Sequence, residues 1–421
     1  MLRDPAYRRA LLFCALIGIP VSALAFWFLA ALHELEQLVW TDWPKDLGWP
    51  HAPWWWPFPA FALAGLVVPL VAGRLPGRGG HVPAVGLHAG GTTTAALPGV
   101  IIAALFSLPL GAVLGPEAPL IALGGGLALV FRDLARAPAS PQSTALLGAA
   151  GSAAAISAIF GNPLVAGVLL MEVAGVGGPR LFAVMLPALL ASGIGSVIFS
   201  GFGQWTGFAT GSLAVGLPAP PPLDTGDVVW SLLMGLVIGA AVHALVVGGR
   251  YVAVFVSGRL LPHTTLCALA AGGCVALFAV STGRSPSEAA LSGQATLSQL
   301  AKDPHAWSVG ALVAVLAFKG AAYLLCLGSL RGGPVFPALF LGGAAGALLA
   351  PLPGLGLVPA MAAGMAAAAT SALRLPVSSV VLVAIMLGHS GSAPVIVLAS
   401  VVSFMAAELL PQGPVLPEPS A

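Results

Sequence analysis

Gly115-Pro116-Glu117-Ala118-Pro119 runs into Leu123-Gly124-Gly125, and Gly333-Pro334-Val335-Phe336-Pro337 runs into Leu341-Gly342-Gly343. Each matched residue of the second phrase lies 218 positions after its partner in the first. A second pair follows at a displacement of 213: Gly151, Ala153, Ala154, Ala155 and Pro163 match Gly364, Ala366, Ala367, Ala368 and Pro376. The chain therefore reads as two related halves. In an apolar chain, Gly/Pro-broken segments at corresponding places in two halves point to a transport site built from interrupted helices.

The apolar character is plain: 58% of the 421 residues are hydrophobic and 7% are charged. Most of this chain cannot face water, so it is expected to be a polytopic membrane protein. Candidate membrane segments fall at 11–32, 58–73, 93–114, 117–131, 144–158, 163–176, 181–200, 228–248, 265–281, 308–328, 335–350, 357–372, 376–388 and 392–410. Several fall short of the roughly 20 helical residues that span a bilayer core. Glycine and proline at their starts suggest half-helices ending inside the protein, which is tolerated only where the freed backbone is buried or lines a cavity. Alternating ten-residue strands of the barrel type do not occur. Cys14, Cys267, Cys274 and Cys326 lie in apolar segments without metal-ligand spacing, so neither a metal site nor a disulfide framework is implied, and no cofactor is expected. A net charge of +2 without a basic domain points away from nucleic acid.

Arg3, Arg8 and Arg9 precede the first span, whereas Glu34, Glu36, Asp42 and Asp46 follow it against one Lys45. The amino terminus is therefore expected on the cytoplasmic side, most simply of the plasma (inner) membrane. That first span is long and lacks a small-residue cleavage site, so it reads as a retained helix rather than a signal peptide. Trp40, Trp43, Trp49 and Trp54 to Trp56 suit a headgroup-level aromatic belt. Signs reverse in the second half, where Asp224 and Asp227 precede the span at 228–248 and Arg250 and Arg259 follow it. Opposite insertion of the halves makes an inverted repeat with its pseudo-two-fold axis in the membrane plane. The expected organisation is a first membrane repeat at 1–216, a proline-rich connector at 217–226, a second repeat at 227–410 and a short polar tail at 411–421.

Glu117 stands in an otherwise uncharged segment, where a buried carboxylate is costly. One reading is that it only stabilises the start of its own helix after Pro116. The repeat favours another. Unpaired N–H groups at helix amino termini bind anions without a full positive charge, so the ion is held weakly enough to leave. Two such termini, at 115–119 and 333–337, can converge on one dehydrated anion near the midplane. Glu117 is then a tethered competitor whose protonation or displacement opens the path.

These residues resemble the CLC family of chloride channels and proton-coupled anion exchangers, of the bacterial kind without soluble regulatory domains. Gly115-Pro116-Glu117-Ala118-Pro119 is similar to the gating-glutamate motif, with Pro116 and Ala118 in place of the more usual arginine and glycine. Gly333-Pro334-Val335-Phe336-Pro337 resembles the second selectivity motif, its phenylalanine one place late. Gly79-Gly80-His81-Val82-Pro83 occupies the place of the first. The likeness extends from the first span to Leu410 and implies a small anion, chloride first, as partner, and a homodimer with one pathway per subunit. The family's pore serine corresponds to Gly80 or His81, neither of which carries a hydroxyl. The pore tyrosine should lie on the last helix, yet Tyr7, Tyr251 and Tyr323 all precede the second phrase. Backbone N–H groups are then left to hold the ion.

Coupling is the open point. The family's inner proton-relay position falls on Val173, or on Ala174 by a second count, and an apolar residue there resembles the channel members. Glu172 is adjacent and remains a possible relay; its alternative is a carboxylate satisfied at a helix end or subunit interface. Fluoride exporters also lack the serine and tyrosine, so a fluoride/proton exchanger stays open beside the channel. Lys319 and Arg374, charges within apolar runs, are read as snorkelling to an interface rather than as setting an anion-attracting potential. His81 is the histidine singled out as able to make conduction pH-sensitive, against the reading that a lone histidine in a Gly-rich loop is incidental. No enzyme is expected: Gly388-His389-Ser390-Gly391 is the remote case for an intramembrane serine protease, with the histidine poorly placed for its neighbour. A cation-coupled transporter has only Glu117 and Glu172 as ligands, and both phrases present amino termini.

Overall fold

In the computed structural model, which describes residues 3–87, 92–137, 139–174, 179–208, 215–218 and 222–416, the chain is helical almost throughout. The helices are α1 (Pro5–Gln37), α2 (Trp43–Asp46), α3 (Pro57–Arg74), α4 (Leu97–Ser107), α5 (Glu117–Leu134), α6 (Pro141–Phe160), α7 (Pro163–Ala174) and α8 (Pro179–Thr206) in the first half. The second half holds α9 (Thr225–Gly258), α10 (Leu260–Thr282), α11 (Gln294–Lys302), α12 (Val309–Ser329), α13 (Val335–Leu349), α14 (Leu357–Leu373), α15 (Pro376–Leu387) and α16 (Ala393–Leu409). Among the described residues, seven helical stretches are long and apolar enough to cross a membrane. The shorter apolar helices include α13, α14, α15 and α16. Ala219, Pro220 and Pro221 of the expected connector, and the tail beyond Leu416, lie outside the described residues.

Local chemistry places the ends. Ser140 and Ser143 close a capping box over α6, and Asp224 and Asp227 do the same over α9. The apolar run at 93–114 does not stay helical: α4 stops at Ser107, because Pro109 cannot donate into the ladder and Gly111 takes a φ of 109°. The nonhelical stretch from there to Pro116 delivers the first phrase into the interior. Trp40 departs from the expected belt. A π-helical turn at Leu38–Asp42 lets α1 run on towards α2, and Trp40 is buried with its indole N–H donating to the Pro109 carbonyl at 2.9 Å. Trp43, Trp54 and Trp55 are exposed, as a belt requires.

The two halves repeat one packing scheme. Helix α6 is surrounded by α1, α5, α7 and α8, and α14 by α9, α13, α15 and α16. From Val358 to Leu373 every residue of α14 is buried, which a helix made mainly of alanine and glycine permits. The repeated glycines mark where backbones cross: a Cβ on Gly124 would strike the Gly151 carbonyl, and one on Gly342 would strike that of Gly364. The repeated phrases of the two halves meet at a backbone pair. Gly115 N–H donates to the Gly333 carbonyl at 2.8 Å, and Gly333 N–H returns to Gly115 at 2.6 Å, as an antiparallel bridge. Matched residues that pair while running in opposite directions are related by a local two-fold, so the repeat is inverted.

Candidate functional site

Both repeated phrases end in a helix whose N-cap is a proline, Pro116 for α5 and Pro334 for α13, and neither start is capped by its own side chains. Proline gives no side-chain acceptor, so the first-turn N–H groups are left for another partner. For α13 that partner is Glu117. Its carboxylate is fully buried, and Oε1 accepts from the Val335 N–H at 2.6 Å. Oε2 has no hydrogen-bond partner among the described residues. The first residue of one half-helix thus places an anionic group on the amino terminus of the opposed half-helix.

The flanking glycines make room for that group. A Cβ on Gly333 would strike the Glu117 carboxylate, and one on Gly115 would lie 2.8 Å from its Cδ and 2.6 Å from the Phe336 ring. Ala118, Pro119, Val335, Phe336 and Pro337 are all buried, and Phe336 packs near Phe160 with ring centroids 5.7 Å apart. Helix dipole, backbone N–H and apolar walls together form a seat that encloses the Glu117 carboxylate at the α13 amino terminus.

Gly79-Gly80-His81-Val82-Pro83 stands at the edge of this arrangement. Gly77, Arg78, Gly79 and Gly80 have φ of 71°, 50°, 72° and 96°, a left-handed run that turns the chain, and Gly79 has no room for a side chain against Ala103. Pro83 then opens a short 3-10 turn over Pro83–Val85, with Gly80, His81 and Val82 between. The residues just before this segment and just before the second phrase touch: Arg331 Nε donates to the Arg78 carbonyl at 3.4 Å. Two hydroxyls that sequence reasoning passed over bind the second phrase. Ser107 Oγ accepts from the Arg331 backbone N–H at 3.2 Å, and Tyr323, fully buried, donates to the Pro334 carbonyl at 2.7 Å. Both hold the turn that presents the α13 amino terminus.

Glu172 lies on α7 and caps α15. Oε1 accepts from Val377 N–H at 3.0 Å, and Oε2 accepts from the backbone and hydroxyl of Ser378 at 2.7 and 2.6 Å. Lys319 does not snorkel. It is fully buried, and Nζ donates to the carbonyls of Glu288, Ala289, Ala290 and Leu291 at 3.4, 3.2, 2.7 and 3.1 Å, with the Phe340 ring centroid at 4.8 Å. The loop before α11 curls its carbonyls around the ammonium, so the charge is solvated by backbone rather than by an interface. Replacing it with methionine leaves those carbonyls unpaired. Lys319→Met is expected to cost about 3 kcal/mol, a clear drop in thermal unfolding temperature in detergent, whereas an exposed lysine would be neutral. Arg374 pairs with Glu408 at 2.9 Å and bonds Gln412, away from the seat. At Gly388-His389-Ser390-Gly391, His389 has no hydrogen bond from either ring nitrogen among the described residues, so no histidine–serine dyad forms.

The family model described as "Voltage gated chloride channel" matches residues 82–408. The "Putative ion-transport protein YfeO" of Salmonella schwarzengrund (strain CVM19633) is 26% identical over 349 residues, covering 79% of this chain and 78% of that protein. Among solved structures, a slow cyanobacterial Cl-/H+ antiporter is similar with a TM-score of 0.77 at 17% identity, over 95% of this chain and 94% of that one. A CLC-type fluoride/proton antiporter has a TM-score of 0.71 at 19% identity, over 95% of each chain. These structural likenesses carry the fold.

Proposed function

The chain belongs to the voltage gated chloride channel family, and from that premise we propose that Glu117 is the gate of its anion pathway and that chloride is the principal ion. Anion transport across a membrane is the activity of the family; the gate, the ion and the coupling are this chain's own. The observation that carries the proposal is the Glu117 carboxylate, buried and hydrogen-bonded to Val335 N–H at 2.6 Å. A carboxylate on a helix amino terminus stands where a free anion would stand, because the same N–H groups and dipole attract both. The residues proposed to line the seat are Gly115, Pro116, Ala118 and Pro119 with Gly333, Pro334, Val335, Phe336 and Pro337. Gly79, Gly80, His81, Val82 and Pro83 are proposed to flank its other side.

The coupling reading is uncoupled conduction. Val173 and Ala174 carry no titratable group, and Glu172 spends both oxygens on Val377 and Ser378. Three donors to one carboxylate make it a helix cap, with no oxygen left over to pass a proton on. The second reading is proton-coupled exchange of chloride or fluoride. It is favoured by the solved structures of similar fold, which include a Cl-/H+ and a fluoride/proton antiporter. The proposed assembly is a homodimer in the inner membrane with the amino terminus cytoplasmic.

Chloride flux from liposomes holding the purified protein, with external pH recorded, separates the two. For a channel, a chloride gradient is expected to move no protons uphill, and Glu172→Gln is expected to leave the chloride-to-proton result unchanged. Uphill proton movement that Glu172→Gln abolishes would replace conduction by exchange and make Glu172 the relay.

A further inference from the structure

We infer that Arg331 is a ligand for the transported anion where the turn at Arg78 and Gly79 meets the residues leading into Gly333, an inference that rests on the small-anion pathway proposed above. Arg331 is the one charged residue between Lys319 and Arg374. It is 8% exposed and lies two residues before Gly333, whose backbone borders the Glu117 carboxylate. Its side chain is held by neutral groups: Nε donates to the Arg78 carbonyl at 3.4 Å, and Nη1 to the Leu330 carbonyl at 3.2 Å. Among the described residues the ion pairs are Arg132–Asp133, Arg284–Glu288 and Arg374–Glu408, so no carboxylate neutralises Arg331. The charge that acts on it is of like sign, Arg78.

A buried cation inside a membrane protein is ordinarily paired, and one without a counter-charge calls for a mobile one. Comparison with Lys319 sharpens this. Lys319 also lacks a carboxylate contact, but its three N–H donors meet four carbonyls, so none is left over. Arg331 has five donors in a planar fork, and Nη2 makes no hydrogen bond among the described residues. Its backbone N–H is tied to Ser107 Oγ, and the neighbouring Gly332 has no room for a side chain against Leu114, so the backbone that carries the guanidinium is fixed two residues before Gly333. Gly80 and His81 supply no hydroxyl on this side. Arg331 supplies N–H donors and a positive charge there, and a small monovalent inorganic anion, halide or nitrate, is the ligand of matching size and sign.

Chloride binding to the full-length protein in detergent, by titration calorimetry, tests this alongside chloride flux in liposomes. R331Q is expected to weaken chloride binding about tenfold or more, the worth of a charge-assisted hydrogen bond, and R331K to fall between R331Q and wild type. Wild-type affinity and flux in R331Q would overturn the assignment. Should R331Q fail to fold, anomalous diffraction from wild-type crystals grown in bromide decides: a peak within about 3.5 Å of the guanidinium supports it. Peaks confined to the α5 and α13 amino termini would overturn it. A wild-type protein that neither binds nor passes any halide would bring down the pathway itself, and the role of Arg331 with it.

Discussion

Replacing Glu117 with glutamine or alanine is expected to abolish the pH dependence of anion flux and leave the pathway open at every pH. The wild-type carboxylate holds the Val335 N–H at 2.6 Å and is fully buried, so under the proposed gating its charge and bulk both stand in the anion's place. A hydrogen bond to an ionised group contributes roughly 1.5–3 kcal/mol, a factor of about ten to over a hundred in the ratio of closed to open states. The sign follows from which form makes the bond. The ionised carboxylate favours the closed state at higher pH, and that contribution is lost as falling pH protonates Glu117, so wild-type flux should rise as pH falls. Glu117→Gln keeps the shape and an acceptor oxygen but not the charge; Glu117→Ala removes all three. Flat, high flux in both makes charge the closing element. Flat but low flux in Glu117→Gln with high flux in Glu117→Ala would make bulk the closing element. Wild-type pH profiles in both variants would remove Glu117 from the gate.

The architecture was legible because membrane helices announce themselves by apolar length, and here their ends are marked by proline and glycine. The expected segment at 376–388 became α15 at Pro376–Leu387, and 335–350 became α13 at Val335–Leu349. The meeting of the two phrases was legible in outline because a repeated glycine phrase points to close backbone approach, and Gly115 pairing with Gly333 is that approach. What stayed hidden depends on how distant segments return. Nothing local distinguishes Tyr323 from another buried aromatic until α12 brings it against Pro334. Lys319 reads as an interfacial lysine because the carbonyls that solvate it belong to a loop some thirty residues earlier. Arg331 did leave a signal: a single charge set against Gly332-Gly333 in a long uncharged run, the same reasoning that singled out Glu117.

Gly342→Val is expected to leave no stably folded protein, and Gly124→Val to do the same for the same reason. A Cβ on Gly342 would strike the Gly364 carbonyl oxygen and lie 2.7 Å from both its carbon and the Ala368 Cβ, so the obstruction is backbone and cannot swing away. Helix α14 cannot retreat, since it is enclosed by α9, α13, α15 and α16 and buried along its length. Forcing one methyl into a packed core costs about 1–3 kcal/mol, and valine adds two more carbons plus a rotamer restriction in the helix. The cost therefore lies at or beyond the upper end of that range, a large part of the stability of any domain. On the other side of the pseudo-two-fold, Gly124 meets Gly151 in the same way, with the Ala155 Cβ at 2.6 Å. Gly193 in α8 is the control, because a Cβ there meets nothing within 4 Å and alanine should gain up to about 1 kcal/mol of helix propensity. Size-exclusion profiles and thermal unfolding in detergent measure all three. A folded Gly342→Val with an unshifted transition would mean the helices do not cross at contact. A loss in Gly342→Val but not in Gly124→Val would mean that the matched glycine crossings within the two halves are not physically equivalent.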